Sequence, residues 1–284
     1  KSVDYYRAAI KIEPDYASAY AAIAFSYAII WDYNYLPPEQ CVPQMKQAAE
    51  HSFQLDDESA ESHLAMGMVK MYYEWDFTAA NIEFKKAIEL NPSFSMAQEQ
   101  YAVYQGLNGN YKEAIKHASI AFDLDPFSPY INLQVAAVYL VIGDYEKELE
   151  YGRRLVELEP NFFGGHLIVG GSLMFLKRYE EAVPELEIAV HQNYSALPLY
   201  YLGLIYGLIG ENLKAREVLE KMINLARIQL AGNYDIGVVY MAIGEFDKAF
   251  QYFEKVIEKH EGLMTFLKCF IRLFPEFEKD PRTK

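Results

Sequence analysis

The stretch SMAQEQYAVYQGLNGNYKEAIKHASIAFDLDP, residues 95–126, decides the fold. Met96 to Leu107 spaces apolar residues at helical intervals, Gly109 and Asn110 interrupt the pattern, Lys112 to Leu124 is helical again, and Pro126 closes the unit. This is a helix–turn–helix of about three turns per helix. Ala102 and Ala114 stand where the two helices cross, so the axes can approach to the low end of ~8–10 Å. The same beat runs through the chain. Phe77, Tyr111, Tyr145 and Tyr179 are each 34 positions apart, as are Pro92, Pro126 and Pro160. Small residues recur at Ala102, Ala136 and Gly170, then at Gly203 and Gly237 after a slip of one residue. Gly109, Gly143, Gly210 and Gly244 mark the turns, and Lys177 fills the missing slot. A repeat of this length means stacked units with a shared core, which argues against a globule built around one catalytic pocket.

The pattern resembles the tetratricopeptide repeat (TPR) family. The residues that carry the resemblance are Tyr20, Ile23, Ala24 and Tyr27; Gly67, Ala80, Phe84, Ala87 and Pro92; Ala136, Tyr139, Gly143, Tyr145 and Pro160; Gly203, Tyr206, Gly210 and Ala215; and Gly237, Tyr240, Gly244, Phe246, Ala249 and Phe253. The expected fold is all-α, a right-handed α-solenoid (superhelix) of helix–turn–helix repeats with a C-terminal capping helix, in a single domain over 1–284. Residues 1–14 read as a half repeat truncated from a longer protein, 15–59 as a repeat with an insertion over 28–43, 60–261 as six further repeats, and 262–284 as a capping helix and tail.

Departures from the pattern carry their own expectations. Asp57 stands in the slot of the unit-ending proline. Glu148 replaces a small residue in a second helix, which predicts looser packing there. Pro184, five residues after Tyr179, is harmless in a first turn and kinks a helix beyond it; both placements remain open. The segment Ala28 to Pro43 carries nine extra residues, including Trp31, Tyr33, Tyr35, Pro37, Pro38 and Cys41, and reads as a stiff loop or a broken helix extension. Its aromatics either pack near Tyr72, Tyr73 and Trp75 or form a lip over a groove. The turn Tyr72 to Phe77 carries one extra residue. Near the end, Leu263, Phe266, Leu267, Phe270, Ile271 and Phe274 share one helix face, Pro275 is read as its stop, and Glu278 to Lys284 as a frayed tail. That helix is read as a cap over the last unit or, alternatively, as a docking element.

Composition narrows the function. With 26 basic and 40 acidic residues the net charge is −14, and no basic stripe appears, which argues against direct nucleic-acid binding by this segment. Two cysteines, Cys41 and Cys269, make no disulfide scaffold. No apolar run reaches about 18 residues, so no membrane span is expected, and the reading is cytoplasmic. The six histidines show no metal spacing; His63 and His166 lie on first helices, where they either pack or face a groove. Glu180, Glu181, Glu185 and Glu187 read as a solvated outer face. No phosphate loop and no nucleophile elbow occurs, so no catalytic residue, metal or cofactor is assigned.

In the family the first helices line the concave surface. Projecting the register places Phe25; Val69, Tyr72 and Tyr73; Glu99 and Val103; Leu133, Gln134 and Ala137; Leu167, Met174 and Phe175; Tyr200 and Leu204; and Met241 there, with Trp31, Tyr33 and Tyr35 as the lip. The surface is apolar and aromatic and lacks the basic residues of a clamp for a peptide carboxylate. It suits an amphipathic helix or an apolar extended segment. A tightly wound stack would bury the same residues as core, and the sequence leaves both readings open.

A further resemblance rests on the Leu-Pro-Pro of 36–38, the Tyr-Glu-Trp-Asp-Phe turn of 73–77 and the Phe-Leu-Lys…Asp-Pro-Arg ending. It is similar to the repeat region behind the output domains of certain bacterial regulators: winged-helix DNA-binding domains, nucleotide cyclases or serine/threonine kinases. This implies a non-enzymatic protein- or peptide-binding module in a larger signalling or transcription-regulatory protein. The alternative is a passive scaffold or self-associating module, with a homo-oligomer as one outcome.

Overall fold

The computed structural model describes residues 2–32, 36, 38–228, 230–259 and 266–283. Helices fill both of the compact units into which the chain divides, residues 1–125 and 126–284. The fold is all-α, an α-solenoid of helical hairpins, and no strand occurs among the described residues.

In the first unit α1 (Ser2–Ile12) precedes three hairpins: α2 (Ala17–Asp32) with α3 (Pro38–Leu55), α4 (Ala60–Met68) with α5 (Phe77–Leu90), and α6 (Ser95–Leu107) with α7 (Tyr111–Leu124). The second unit holds four: α8 (Pro129–Ile142) with α9 (Tyr145–Leu158), α10 (Phe163–Phe175) with α11 (Tyr179–Gln192), α12 (Ala196–Leu208) with α13 (Asn212–Arg227), and α14 (Asn233–Ala242) with α15 (Phe246–Glu258). Two short helices come after them, α16 (Leu267–Ile271) and α17 (Pro275–Glu278).

Three hairpins close on size complementarity, with a glycine of the first helix facing a large side chain of the second. A Cβ on Gly67 would lie 2.5 Å from the Phe84 ring, one on Gly170 2.6 Å from Leu186, and one on Gly237 2.6 Å from Phe253. Where the first helix carries Ala102 or Ala136, the register position of Phe84 becomes Ala118 or Gly152. The turns use the left-handed region: φ is +80° at Gly109, +88° at Gly143, +79° at Gly210 and +78° at Gly244. The same slot is left-handed at Lys177 (φ +60°) and Trp75 (φ +54°), which lack glycine's freedom from a Cβ clash.

Buried polar groups follow the register too. His63 Nε2 lies 2.8 Å from the Asp57 carbonyl, Gln98 donates to that of Pro92 at 2.8 Å, and Asn132 to that of Pro126 at 3.0 Å. In these three units the residue six positions past the proline slot ties the first helix to the loop before it and gives the loop carbonyl a partner, which burial makes necessary; at Pro160 the carbonyl is instead met by Gln192 of α11 at 2.9 Å. Asp57 keeps this tie without being proline.

Several departures resolve differently from the sequence expectation. The insertion is mostly helical: α2 and α3 are lengthened to 16 and 18 residues, with Pro43 inside α3. The extra residue near Tyr72 is absorbed as a π-helical turn, Val69–Tyr73, in which Glu74 N donates to Val69 O at 3.1 Å. Pro184 is the sixth residue of α11, beyond the first turn, yet the helix continues to Gln192. Pro275 does not stop the C-terminal helix. α16 ends at Ile271, and Pro275 opens α17, where its missing N–H costs nothing. The tail is tied down: Arg282 contacts Asp280 at 2.7 Å and Asp247 at 2.8 Å. Leu263 and His260 lie outside the described residues.

Candidate docking face of the first helices

In the first unit the face is partly open. Phe25 on α2 and Tyr72 and Tyr73 in the π turn are half-buried, whereas Val69, Glu99 and Val103 are enclosed between helices and present no open surface. The Tyr72 hydroxyl donates to Gln100 Oε1 at 3.0 Å. Lys46 of α3 reaches Glu74 Oε1 at 2.7 Å, Lys70 reaches Glu74 Oε2 at 2.6 Å, and Lys46 stands 5.9 Å over the Tyr73 ring. Hydrogen bonds from Lys46 and then Lys70 hold the Glu74 carboxyl below the usual carboxylate range. The two cations are thereby engaged, and the aromatic face keeps no free basic clamp of their making. Trp31 is half-buried at the end of α2, while Tyr33 and Tyr35 of the expected lip lie outside the described residues.

In the second unit Leu133, Gln134 and Ala137 of α8 are half-buried, but Leu167, Met174, Phe175, Tyr200, Leu204 and Met241 are buried. Their burial has two sources. Met174, Leu204 and Met241 are fully enclosed on their helices. Phe175 and Tyr200 are instead met by a ring from the end of the chain. Phe270 of α16 sits with its centroid 5.7 Å from Phe175, 5.8 Å from Tyr200 and 5.5 Å from Tyr201. Phe175 in turn stacks on Tyr145 at 4.5 Å. The sequence register had not singled out Tyr201, and nothing in a 34-residue repeat says where a residue after the last repeat will land.

Beneath α16 lies Glu148. It occupies a slot that holds a fully buried alanine at 80, 114, 182, 215 and 249, and it is itself 3% exposed rather than loosely packed. Burial pushes its carboxyl well above the usual carboxylate range, with the Ser172 hydroxyl pulling the other way, and its Oε2 has no hydrogen-bond partner. Its charge is felt at Tyr201 and Cys269, both raised chiefly by burial, Cys269 to about 11.

His63, His117 and His166 face hairpin partners. His63 Nδ1 lies 2.6 Å from Glu83, His166 Nδ1 2.6 Å from Glu185, and His117 Nδ1 2.6 Å from Gln98. Glu185, and Glu187 with Tyr206 at 2.8 Å, are therefore engaged rather than merely solvated. Among the described residues no three His, Cys, Asp or Glu side chains converge as metal donors, and no helix is long and apolar enough to cross a membrane.

Residues 104–161 and 231–258 each match a family model described as tetratricopeptide repeat. Among solved structures, human IFIT1, solved as a dimer with PPP-AAAA, aligns at TM-score 0.63 and 19% identity over 82% of this chain and 58% of that one. Pseudomonas aeruginosa pilF aligns at TM-score 0.51 and 17% identity over 87% and 99%. These likenesses concern the fold. A curated relative, the Hsp70-Hsp90 organizing protein of Triticum aestivum, is 33% identical over 73 residues, 26% of this chain. The chain spans 13% of that protein's length. Tetratricopeptide repeats, the class these matches support, mediate protein–protein interaction.

Proposed function

We propose that this chain is a non-enzymatic protein- or peptide-binding module, the regulatory or docking part of a larger bacterial signalling or transcription-regulatory protein. Its first-helix face takes an apolar or amphipathic segment. The observation that carries this is the aromatic lining of that face: Phe25, Tyr72 and Tyr73 half-buried in one unit, and Phe175, Tyr200 and Tyr201 gathered around a phenylalanine in the other. Such a surface gains about 25 cal/mol per Å² of apolar area removed from water, before ordering costs. It offers little to a phosphate or carboxylate ligand. The regulatory part of the reading rests on the Leu-Pro-Pro, Tyr-Glu-Trp-Asp-Phe and Asp-Pro-Arg pattern.

Reading the gene around the Lys1 codon tests that regulatory part. A DNA-binding, cyclase or kinase domain in the same open reading frame is the expected result. Further repeats alone, or a secretion signal, would contradict it and favour a passive scaffold.

A further inference from the structure

α16 does not belong to any hairpin. It is five residues long, yet Leu267, Cys269 and Phe270 are buried, Phe270 to 1% exposure, while Lys268 points to solvent. The three rings around Phe270 come from α10 and α12, two hairpins and one hairpin before the last; from the last hairpin Tyr234 of α14 stands close enough to Cys269 to feel its charge. The last hairpin is covered by a different residue: Phe277 of α17 packs against Phe246, Phe250 and Phe253 of α15 at 5.3, 4.5 and 6.0 Å. Capping and face-filling are thus separate acts of the same tail, and the cap does not need Phe270. A second anchor stands two residues on. Arg272 hydrogen-bonds the Tyr145 hydroxyl, and its Nη1 lies 3.1 Å from where a Cβ on Gly143 would stand. Any larger residue at that turn would crowd the guanidinium.

We propose that α16 is an internal ligand: residues 266–272 occupy a docking site on the first-helix face of residues 126–284, and a partner's amphipathic helix with the pattern apolar-x-x-Phe-x-Arg displaces them. The proposal rests on the reading of this face as a docking surface and adds its occupant and the partner's chemistry. The pattern is that of Leu267, Phe270 and Arg272. The aromatic walls of Phe175, Tyr200 and Tyr201 select a planar apolar side chain, since ring pairs at these separations gain from edge-to-face geometry beyond area alone. The interplanar angles of Phe270 with Tyr200 and Tyr201 are 80° and 79°. Tyr145 selects a donor two residues later. While α16 is seated, the apparent affinity for a partner is reduced by the small fraction of chains whose face is vacant.

The test uses the full chain, its Phe270→Ala variant and a fluorescein-labelled peptide with the sequence of residues 266–278 carrying Cys269→Ser. Fluorescence anisotropy is expected to give binding at least tenfold tighter to Phe270→Ala than to the unaltered chain, with Phe270→Ala in the peptide abolishing it. In parallel, alkylation of Cys269 in the unaltered chain, followed by peptide mapping, is expected to accelerate several-fold with excess peptide while Cys41, buried in the other unit, does not change. Equal affinity for both proteins would overturn the internal-ligand proposal and leave the docking surface standing. Binding to neither, with Cys269 alkylation unmoved, would overturn both. If Phe270→Ala loses its helical circular dichroism, the Cys269 rate in the unaltered chain decides alone. A concentration-dependent dimer in which Cys269 stays protected would make the occupant a second copy's tail and overturn displacement by a partner.

Discussion

The two units build their first-helix faces from the same kind of residue and end with different surfaces. In residues 1–125 Phe25, Tyr72 and Tyr73 remain half-exposed, and the nearby Lys46 and Lys70 are both engaged by Glu74. In residues 126–284 Phe175, Tyr200 and Tyr201 are buried, and a phenylalanine from the chain's own end sits among them. The difference does not lie in the face. It lies in the covering segment: among the described residues, α16 meets those rings in the second unit, and no such segment meets Phe25, Tyr72 and Tyr73 in the first. Exposure on a repeat face is therefore set by the segment beyond the last repeat as much as by the repeats themselves.

The largest expected effect separates a core ring from a docked ring. Phe84 in the first unit is fully buried, set against Gly67 of its own hairpin and Tyr104 of the next, so Phe84→Ala should cost about 3–5 kcal/mol. Both tryptophans, Trp31 and Trp75, lie in the first unit, so their fluorescence reports its denaturation alone. Phe84→Ala should lower that midpoint strongly and Phe270→Ala should leave it unchanged. The cost of Phe270→Ala should also be capped, because α16 can undock while the hairpins stay folded. A loss in the second unit as large as that of Phe84→Ala in the first would make Phe270 core and erase the contrast.

A smaller effect concerns Glu148, the buried acid beneath α16, in a register slot that alanine fills at positions 80 and 114 of the first unit. Its folded pKa is raised above the ordinary 4.5. The folded state therefore holds the proton more tightly than the unfolded state. Stability is undiminished below about pH 4.5 and is lost as pH rises from there towards the raised folded pKa, by about 1.4 kcal/mol for each unit of elevation. Ser172, Tyr145, Tyr201 and Cys269 are polar neighbours that share this environment. Glu148→Gln should remove this part of the decline in denaturant titrations across pH 4.5–8. An unchanged pH profile would show that Glu148 does not titrate against folding.

The smallest effect concerns the two described turns that enter the left-handed region without glycine, one in each unit. Lys177 is exposed and left-handed, so Lys177→Gly should stabilise the second unit by at most about 1 kcal/mol, the relief of its Cβ clash less the added freedom of the unfolded glycine. Trp75→Gly in the first unit should not gain, because it also removes a half-buried ring. Thermal melts of the pair check the sign.

The range of each contact decided how much was legible. The hairpins, their left-handed turns and the glycine-to-phenylalanine pairings are local or one repeat apart, so Gly67, Phe84, Gly109 and Gly143 announce them. The polar tie from His63, Gln98 and Asn132 was not read from the sequence: its spacing, six residues past Asp57, Pro92 and Pro126, is regular, but only the carbonyl's burial gives it meaning. The π turn was foreshadowed only as one residue too many before Phe77. What the register could not reveal is the destination of Phe270, because its partners on α10 and α12 lie about 70–95 residues upstream and carry no mark distinguishing them from other aromatic positions. The candidate face suffered for the same reason: periodicity assigns a residue to a side of its helix, and whether that side meets water depends on neighbours outside the period.

Hydrogen exchange of the Leu267–Ile271 amides in the unaltered chain tests the central claim most directly. A docked internal ligand opens without unfolding the hairpins beneath it. The account predicts that these amides exchange at an opening free energy well below that of α10 and α12, and insensitive to denaturant in the range where small openings dominate. Exchange of α16 at the same free energy and with the same denaturant dependence as α10 and α12 would make it an integral part of the stack and contradict the account.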